Sequence, residues 1–256
     1  MIRTNRNTPQ LWDKLWEKKS SKDEDIATLR IEEKTVRWQK LKGIVLKKFS
    51  SFNDLKVIEI GAGTGTYSGL MAKEGARATV LDSSENALSR AQDFIMHNNL
   101  QAEFVKSDAM LLPNGVNCKF DISMSFGTGE HFKGDERVKV IKAHFDVLKN
   151  GGITFISVPN KYNPPYRLYK FVSELSNRWT VGEEYPFSRR EMRNIVNKMN
   201  PKEYSFFGDS FISSFNFVFA TPFIRKYFNI KHSEKDEGKC FLDQYFSYSI
   251  VLYAMK

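Results

Sequence analysis

The stretch Val57-Ile58-Glu59-Ile60-Gly61-Ala62-Gly63-Thr64-Gly65-Thr66-Tyr67 constrains this chain more than any other. An apolar run ends in three alternating glycines, and a helix-forming segment follows. Glycine tolerates positive φ and lets a ligand approach the backbone. The helix N-terminus that follows offers free N–H groups and partial positive charge to an anion, a pyrophosphate or a carboxylate. A dinucleotide fingerprint puts its third glycine at the sixth position of the motif, which here is Thr66; Gly65 comes one residue earlier. A Walker-type phosphate loop needs Gly-Lys-Ser/Thr, and none follows. The remaining alternative is a glycine turn that serves only tight strand–helix packing.

From residue 55 onward, short apolar runs alternate with helical patterns. LKVIEI, RATVLD, AEFVKSDA, FDISMSF and ITFISVPN read as strands. Between them lie the segment after the glycines, a helix at SENALSRAQDFIMHNN capped by Ser83 or Ser84, and a helix at DERVKVIKAHFDVLKNGG ended by glycines. Strands separated by helices of this length make βαβ units and a parallel sheet. Residues 1–52 read as a peripheral helical extension. Leu11, Trp12, Leu15 and Trp16 mark one face of a short helix, and Asp23 to Phe49 continues helically, weakened at Gly43. Residues 53–256 form the main domain, with two insertions at 161–187 and 208–240. A helix starting near Ser188, a strand at EYSFF and a closing strand in YFSYSIVLYAM complete it. Ten aromatics fall between Tyr204 and Phe228. They read as a secondary core, as a lid over an apolar substrate, or as a partner or membrane contact.

Two acids stand where partners of the turn belong. Asp82 ends the second strand, twenty-one residues past Gly61, where an acid accepts bonds from both hydroxyls of a ribose. Its alternative is to cap the helix beginning at Ser83. Asp108 ends the third strand and could accept from an adenine amino group, or serve a local turn. Ligands of open α/β sheets sit at the carboxyl ends of the strands. That places Ser125, Phe126, Gly127, Glu130 and His131 on the reacting side, and Asn160, Tyr162 and the Pro164-Pro165-Tyr166 turn next to them.

VIEIGAGTGTYS, VLDSSENAL, SDA, FDISMSFGTGEHF and VLKNGGITFISVPN resemble, in this order, the class I S-adenosylmethionine-dependent methyltransferases. The resemblance covers residues 55–160 closely and about 188–256 loosely. It implies a Rossmann-like, seven-stranded, mostly parallel sheet with helices on both faces and one antiparallel strand near its end. It also implies that Glu59, Gly61, Gly63 and Gly65 surround the methionine part of S-adenosylmethionine, that Asp82 holds the ribose, and that Asp108 with Ala109 holds the adenine. Ala62, Tyr67, Ser83, Ser125, Phe126 and Gly127 complete the expected cofactor contacts. Glu130 and His131 are the catalytic candidates, with His131 as a general base for a hydroxyl or amine acceptor. They could equally cap the next helix and close the pocket. Some relatives carry a Glu-x-x-Glu-His metal set, but its first position here is Gly127, and no metal is expected. Asn160, Tyr162 and Tyr166 are the acceptor-side candidates.

The acceptor read from these features is a small molecule methylated on O or N. RNA or protein is the alternative, supported by a net charge of +9. Against it, basic residues are interspersed with acids, and Asn163-Pro164-Pro165-Tyr166, which spells an amino-methylation motif, follows the fifth strand rather than the fourth. A non-catalytic scaffold is the third reading, opposed by the intact turn and its two acids. Cys118 and Cys240 are too few for a disulfide framework or a four-ligand zinc site. No apolar run reaches the ~18 residues of a membrane span, and the first residues lack a signal-type apolar region. A cytoplasmic location is the expectation.

Overall fold

In this computed structural model, residues 7–209, 211–219 and 240–256 are described. The expected aromatics Phe223, Tyr227 and Phe228, and the 220–239 part of the second insertion, lie outside them.

Seven strands form one sheet: β1 (Lys56–Ile60), β2 (Arg77–Asp82), β3 (Ala102–Lys106), β4 (Phe120–Phe126), β5 (Leu148–Pro159), β6 (Glu203–Gly208) and β7 (Ser249–Met255). The spatial order is β3-β2-β1-β4-β5-β7-β6. β1 to β5 run parallel, and β7 is antiparallel to both β5 and β6. The mostly parallel, Rossmann-like sheet read from the sequence is the one that forms. Its central strands are apolar because both faces are covered by helices: Val57, Ile58, Ile60, Ile122, Ile153 and Phe155 have no exposed surface. The chain reverses its strand order between β1 and β4, which are neighbours, so the carboxyl ends of these two strands open a crevice.

The connecting helices are α4 (Thr66–Lys73), α5 (Glu85–His97) and α6 (Gly134–Asp146). Three helices precede the sheet: α1 (Pro9–Leu15), α2 (Lys22–Glu33) and α3 (Val36–Phe49). The single helical run expected over Asp23–Phe49 is broken at Lys34-Thr35, where the Thr35 hydroxyl caps α3 by accepting from Trp38 N at 3.2 Å. Gly43 stays helical because its neighbours are anchored. Trp38, Leu41 and Val45 are fully buried in the same cluster as Val57, Leu70 and Phe155. Each such side chain contributes roughly 1.5–3 kcal/mol on burial. α3, with Leu29 of α2, is therefore part of the core and not peripheral to it.

The first insertion contains a helix, α7 (Pro164–Leu175), started by prolines in its first turn and by the Asn163 side chain, which accepts from Tyr166 N at 2.7 Å. The Asn-Pro-Pro-Tyr spelling is thus a helix start. α8 (Arg189–Asn197) begins as expected at its cap Ser188. The second insertion includes α9 (Phe215–Phe219), and α10 (Asp243–Phe246) follows it before β7. Among the described residues, no helix is long and apolar enough to cross a membrane.

Candidate active site

β1 delivers the chain into the turn with Glu59 buried behind it. Gly61 and Gly63 adopt positive φ, +66° and +53°. The N–H groups of Gly61 and Ala62 both donate to Leu81 O, at 2.8 and 3.1 Å, which ties the turn to the end of β2. A Cβ on Gly61 would stand 2.5 Å from Thr128 Cγ2, and one on Gly63 would stand 2.5 Å from the Trp16 indole. Only glycine fits either position.

The two flanking acids are held by backbone. Asp82 is buried and accepts from Gly63 N and from Ser84 N, each at 2.9 Å, one on each carboxylate oxygen. Burial raises its pKa and these two N–H donors oppose the rise. An ionised carboxylate has about four lone-pair sites, so sites remain for further donors. Glu59 accepts from Ser68 N at 2.8 Å and Ser68 Oγ at 2.7 Å, both on Oε2. Burial pushes its pKa up to about 7, again opposed by these bonds. Ser83 is exposed, and Ser84 is the residue that caps α5. Asp108 is exposed in a turn and accepts from Met110 N at 2.7 Å, with Ala109 buried beside it. Tyr67 is buried, stacks on Phe126 at 3.5 Å between ring centroids, and donates its hydroxyl to Glu32 of α2.

The carboxyl end of β4 builds the other half. The buried Ser125 hydroxyl has no hydrogen-bond partner. Gly127, at φ +86°, donates to Ser157 O at 3.0 Å. Thr128 bridges to the glycine turn by donating to Gly61 O at 3.1 Å. A short 3₁₀ turn, Gly129–His131, then aims Glu130 inward: it is 2% exposed, and its Oε2 has no partner. Desolvation and the Glu184 charge hold Glu130 well above the usual carboxylate range. His131 Nδ1 lies 3.1 Å from Glu183 O, and a carbonyl only accepts, so Nδ1 carries the proton; the Gly127 backbone also bonds the ring. Burial lowers the His131 pKa to about 4, so the imidazole is neutral at neutral pH. Trp12 meets its ring edge-on at 4.6 Å.

Glu184, from the loop after α7, comes to this pair. Ligand atoms of Glu130, His131 and Glu184 lie within 4.8 Å of one another. Tyr166, buried on α7, donates its hydroxyl to Glu184. Of the three acceptor-side candidates, Tyr166 reaches the cluster. Asn160 instead fastens the loop, donating its amide to Tyr245 O at 2.9 Å and Ser247 O at 3.1 Å, and Tyr162 is 58% exposed. Sequence reasoning missed Glu184, which sits in an irregular loop with no pattern to single it out. It also missed Asn7, Asp13 and Trp16, whose short amphipathic helix announced a buried face without saying what it covers.

Residues 57–152 match the family described as a methyltransferase domain. A ubiquinone biosynthesis O-methyltransferase of Pseudomonas fluorescens is 32% identical over 117 residues, which is 46% of this chain and 49% of that protein. Its counterpart in Bartonella tribocorum is 26% identical over 151 residues, 57% of this chain and 60% of its own. The chain thus spans about half the length of the first of these relatives. Among solved structures, the magnesium protoporphyrin IX methyltransferase of Synechocystis PCC 6803 with bound SAH is similar over 96% of this chain and 93% of its own, with a TM-score of 0.58 at 16% identity. The [4+2]-cyclase SpnF is similar over 85% and 80%, with a TM-score of 0.55 at 18% identity. At such identities the likeness is one of fold, and chemistry has to be argued from the site.

Proposed function

We propose that this chain, whose residues 57–152 match the methyltransferase-domain family, is a class I, S-adenosylmethionine-dependent enzyme that transfers a methyl group to an oxygen of a small-molecule acceptor. S-adenosylmethionine, when bound, supplies a methyl carbon activated by its sulfonium, so the protein's work is positioning and the exclusion of water. The bare turn at Gly61–Gly63 and the lone pairs left on Asp82 fit a nucleoside carrying an amino-acid tail. Asp108 and Ala109 extend the same edge toward the base. The unpartnered Ser125 hydroxyl gives this edge one more polar contact.

On the acceptor side, His131 takes the proton of the attacking hydroxyl at Nε2. Its Nδ1–H bond to Glu183 O fixes the tautomer for that task. Tyr166 and Glu184 orient the acceptor, and desolvation together with the nearby Glu184 charge raises the pKa of Glu130, buried among them. The observation that carries the reading is this adjacency. The acid-flanked turn ends β1, the His131 cluster follows the neighbouring β4, and Thr128 joins them. The test is calorimetry with S-adenosylhomocysteine followed by methyl transfer to a panel of phenols, catechols, alcohols and amines. Binding with O-methylation of a panel member is the expected result. Absence of both would overturn it, and labelling of bulk RNA with a steep salt dependence would move the acceptor to nucleic acid.

A second reading has its own observation. Glu130 Oε2 is buried without a partner beside the carboxylate of Glu184. Buried charges are normally paired or coordinate metals. Glu184 supplies from another element the third donor that Gly127 withholds. In this reading Glu130, His131 and Glu184 hold a divalent cation that binds the acceptor oxygen, and His131 is a ligand instead of a base. Titration with Zn²⁺ or Mn²⁺ separates the two: saturable binding lost in Glu184→Gln supports the metal, and turnover unaffected by chelator supports the base.

A further inference from the structure

Residues 7–16 touch both halves of the site at once. On the turn side, the Trp16 indole occupies the space where a Cβ on Gly63 would project. Asp13 accepts from Ser84 Oγ at 2.6 Å on its carboxylate and from Asn86 Nδ2 at 2.9 Å on its carbonyl. These contacts flank Asp82. On the reacting side, Asn7 Nδ2 donates to His131 O at 2.8 Å and Glu183 O at 2.9 Å, its Oδ1 accepts from Glu183 N at 2.9 Å, and Trp12 meets the His131 ring. One short segment therefore spans from the end of β2 to the residues after β4.

We propose that Asn7–Trp16 is the roof of the active site, with Trp16 a cofactor-contacting residue and Asn7 a positioning residue for His131. The proposal rests on the reading under Proposed function. The chemistry favours it. The apolar indole packs directly on the turn at Gly63, whose N–H donates to Asp82, so a ligand seated on this turn meets the ring. A sulfonium cation beside an indole face gains a cation–π attraction of the kind seen for quaternary ammonium groups. The roof is also built to move. α1 has 7 residues, too few to be stable alone. It is held by the polar contacts just named, and Glu17, Lys18 and Lys19 after it are exposed. α2, by contrast, has a capping box and is anchored by buried Asp25, paired with Arg90 and with His97 at 2.7 Å. Segments with few buried apolar contacts open most readily. Cofactor exchange then requires α1 to lift, and its return sets both the cofactor wall and the place of His131.

The test measures S-adenosylhomocysteine affinity by calorimetry in the full chain, Trp16→Ala and Trp16→Phe, and backbone hydrogen exchange of residues 7–16 with and without that ligand. Trp16→Ala should weaken binding roughly tenfold or more, Trp16→Phe should recover most of it, and the ligand should slow exchange across 7–16. Asn7→Ala should lower kcat while leaving the S-adenosylmethionine KM within about twofold. Wild-type affinity in Trp16→Ala overturns the proposal, as does tighter binding, which would mean the ring stands in the ligand's place. Exchange at 7–16 indifferent to the ligand overturns it too. A wild-type chain that binds no S-adenosylhomocysteine fails earlier and overturns the cofactor reading itself, so the two failures are told apart.

Discussion

The two halves of the site are made differently. At the glycine turn, polar side chains are held by nearby backbone: Ser84 N on Asp82 spans two residues of sequence, Ser68 N on Glu59 nine, and Gly63 N on Asp82 nineteen. At the His131 cluster the partners come from far away: Glu183 O at 52 residues, Asn7 at 124 from His131 and 176 from Glu183. The first half has its hydrogen-bonding capacity largely met by the fold. The second keeps Glu130 Oε2 without a partner. Unmet buried polar atoms are costly, and an acidic pair close together more so. A rigid, self-satisfied seat suits a constant cofactor. A cluster with an unpaired buried acceptor suits a reacting group that completes it.

If the halves are separable, variants should split cleanly between them. The largest effect belongs to His131→Ala, which should lower kcat by roughly 10²–10⁴ if the imidazole is the base. Affinity for S-adenosylhomocysteine should stay within about twofold, and a parallel loss there would break the comparison. Next comes Glu59, on the turn side. Its folded pKa, about 7, lies above the ordinary 4.5, so the folded state holds a proton that the unfolded chain releases in between. Stability is therefore present below pH 4.5 and lost as pH rises toward 7. The loss should be about 3 kcal/mol, and Glu59→Gln should remove that slope in denaturant unfolding run across pH. Asp82→Asn should weaken S-adenosylhomocysteine binding by roughly ten- to a hundredfold, because charge-assisted bonds become neutral ones, with kcat at saturating cofactor little changed. Calorimetry alongside saturation kinetics checks both parts.

The same contrast explains what could be read without coordinates. The turn, its two acids and the succession of strands and helices were legible because each depends on residues close in sequence or on simple periodicity, whereas the antiparallel strand came only from the family resemblance. β5 was read as starting at Ile153, yet it begins at Leu148. Lys149-Asn150-Gly151-Gly152 looks like a helix end, and pairing of Leu148 with Phe120 and of Gly151 N with Lys256 O, at 3.0 Å, makes it extended. Gly43 weakened a helix on propensity, and burial of Trp38, Leu41 and Val45 overrode it. Glu184 and Trp16 gave no signal because their meaning lies in contacts that the fold alone brings together. Trp16 was visible as one corner of an apolar stripe, and a stripe says that a face is buried but not against what.

The smallest expected effect probes the seam between the halves. Tyr166→Phe keeps a fully packed ring, against Tyr248 at 5.3 Å and Phe217 at 6.1 Å, and removes only the hydroxyl that donates to Glu184. A hydrogen bond to a partly buried carboxylate is worth about 1–2 kcal/mol, and Glu184 can recover part of that by taking a proton, since burial already raises its pKa. Stability should therefore fall by about 1 kcal/mol or less. The acceptor KM should rise a few-fold, because Glu184 loses the group that orients it. S-adenosylhomocysteine affinity should not move. If it does, Glu184 communicates with the turn, through Glu183, Asn7 and the roof that Trp16 shares, and the two halves would have to be treated as one coupled unit.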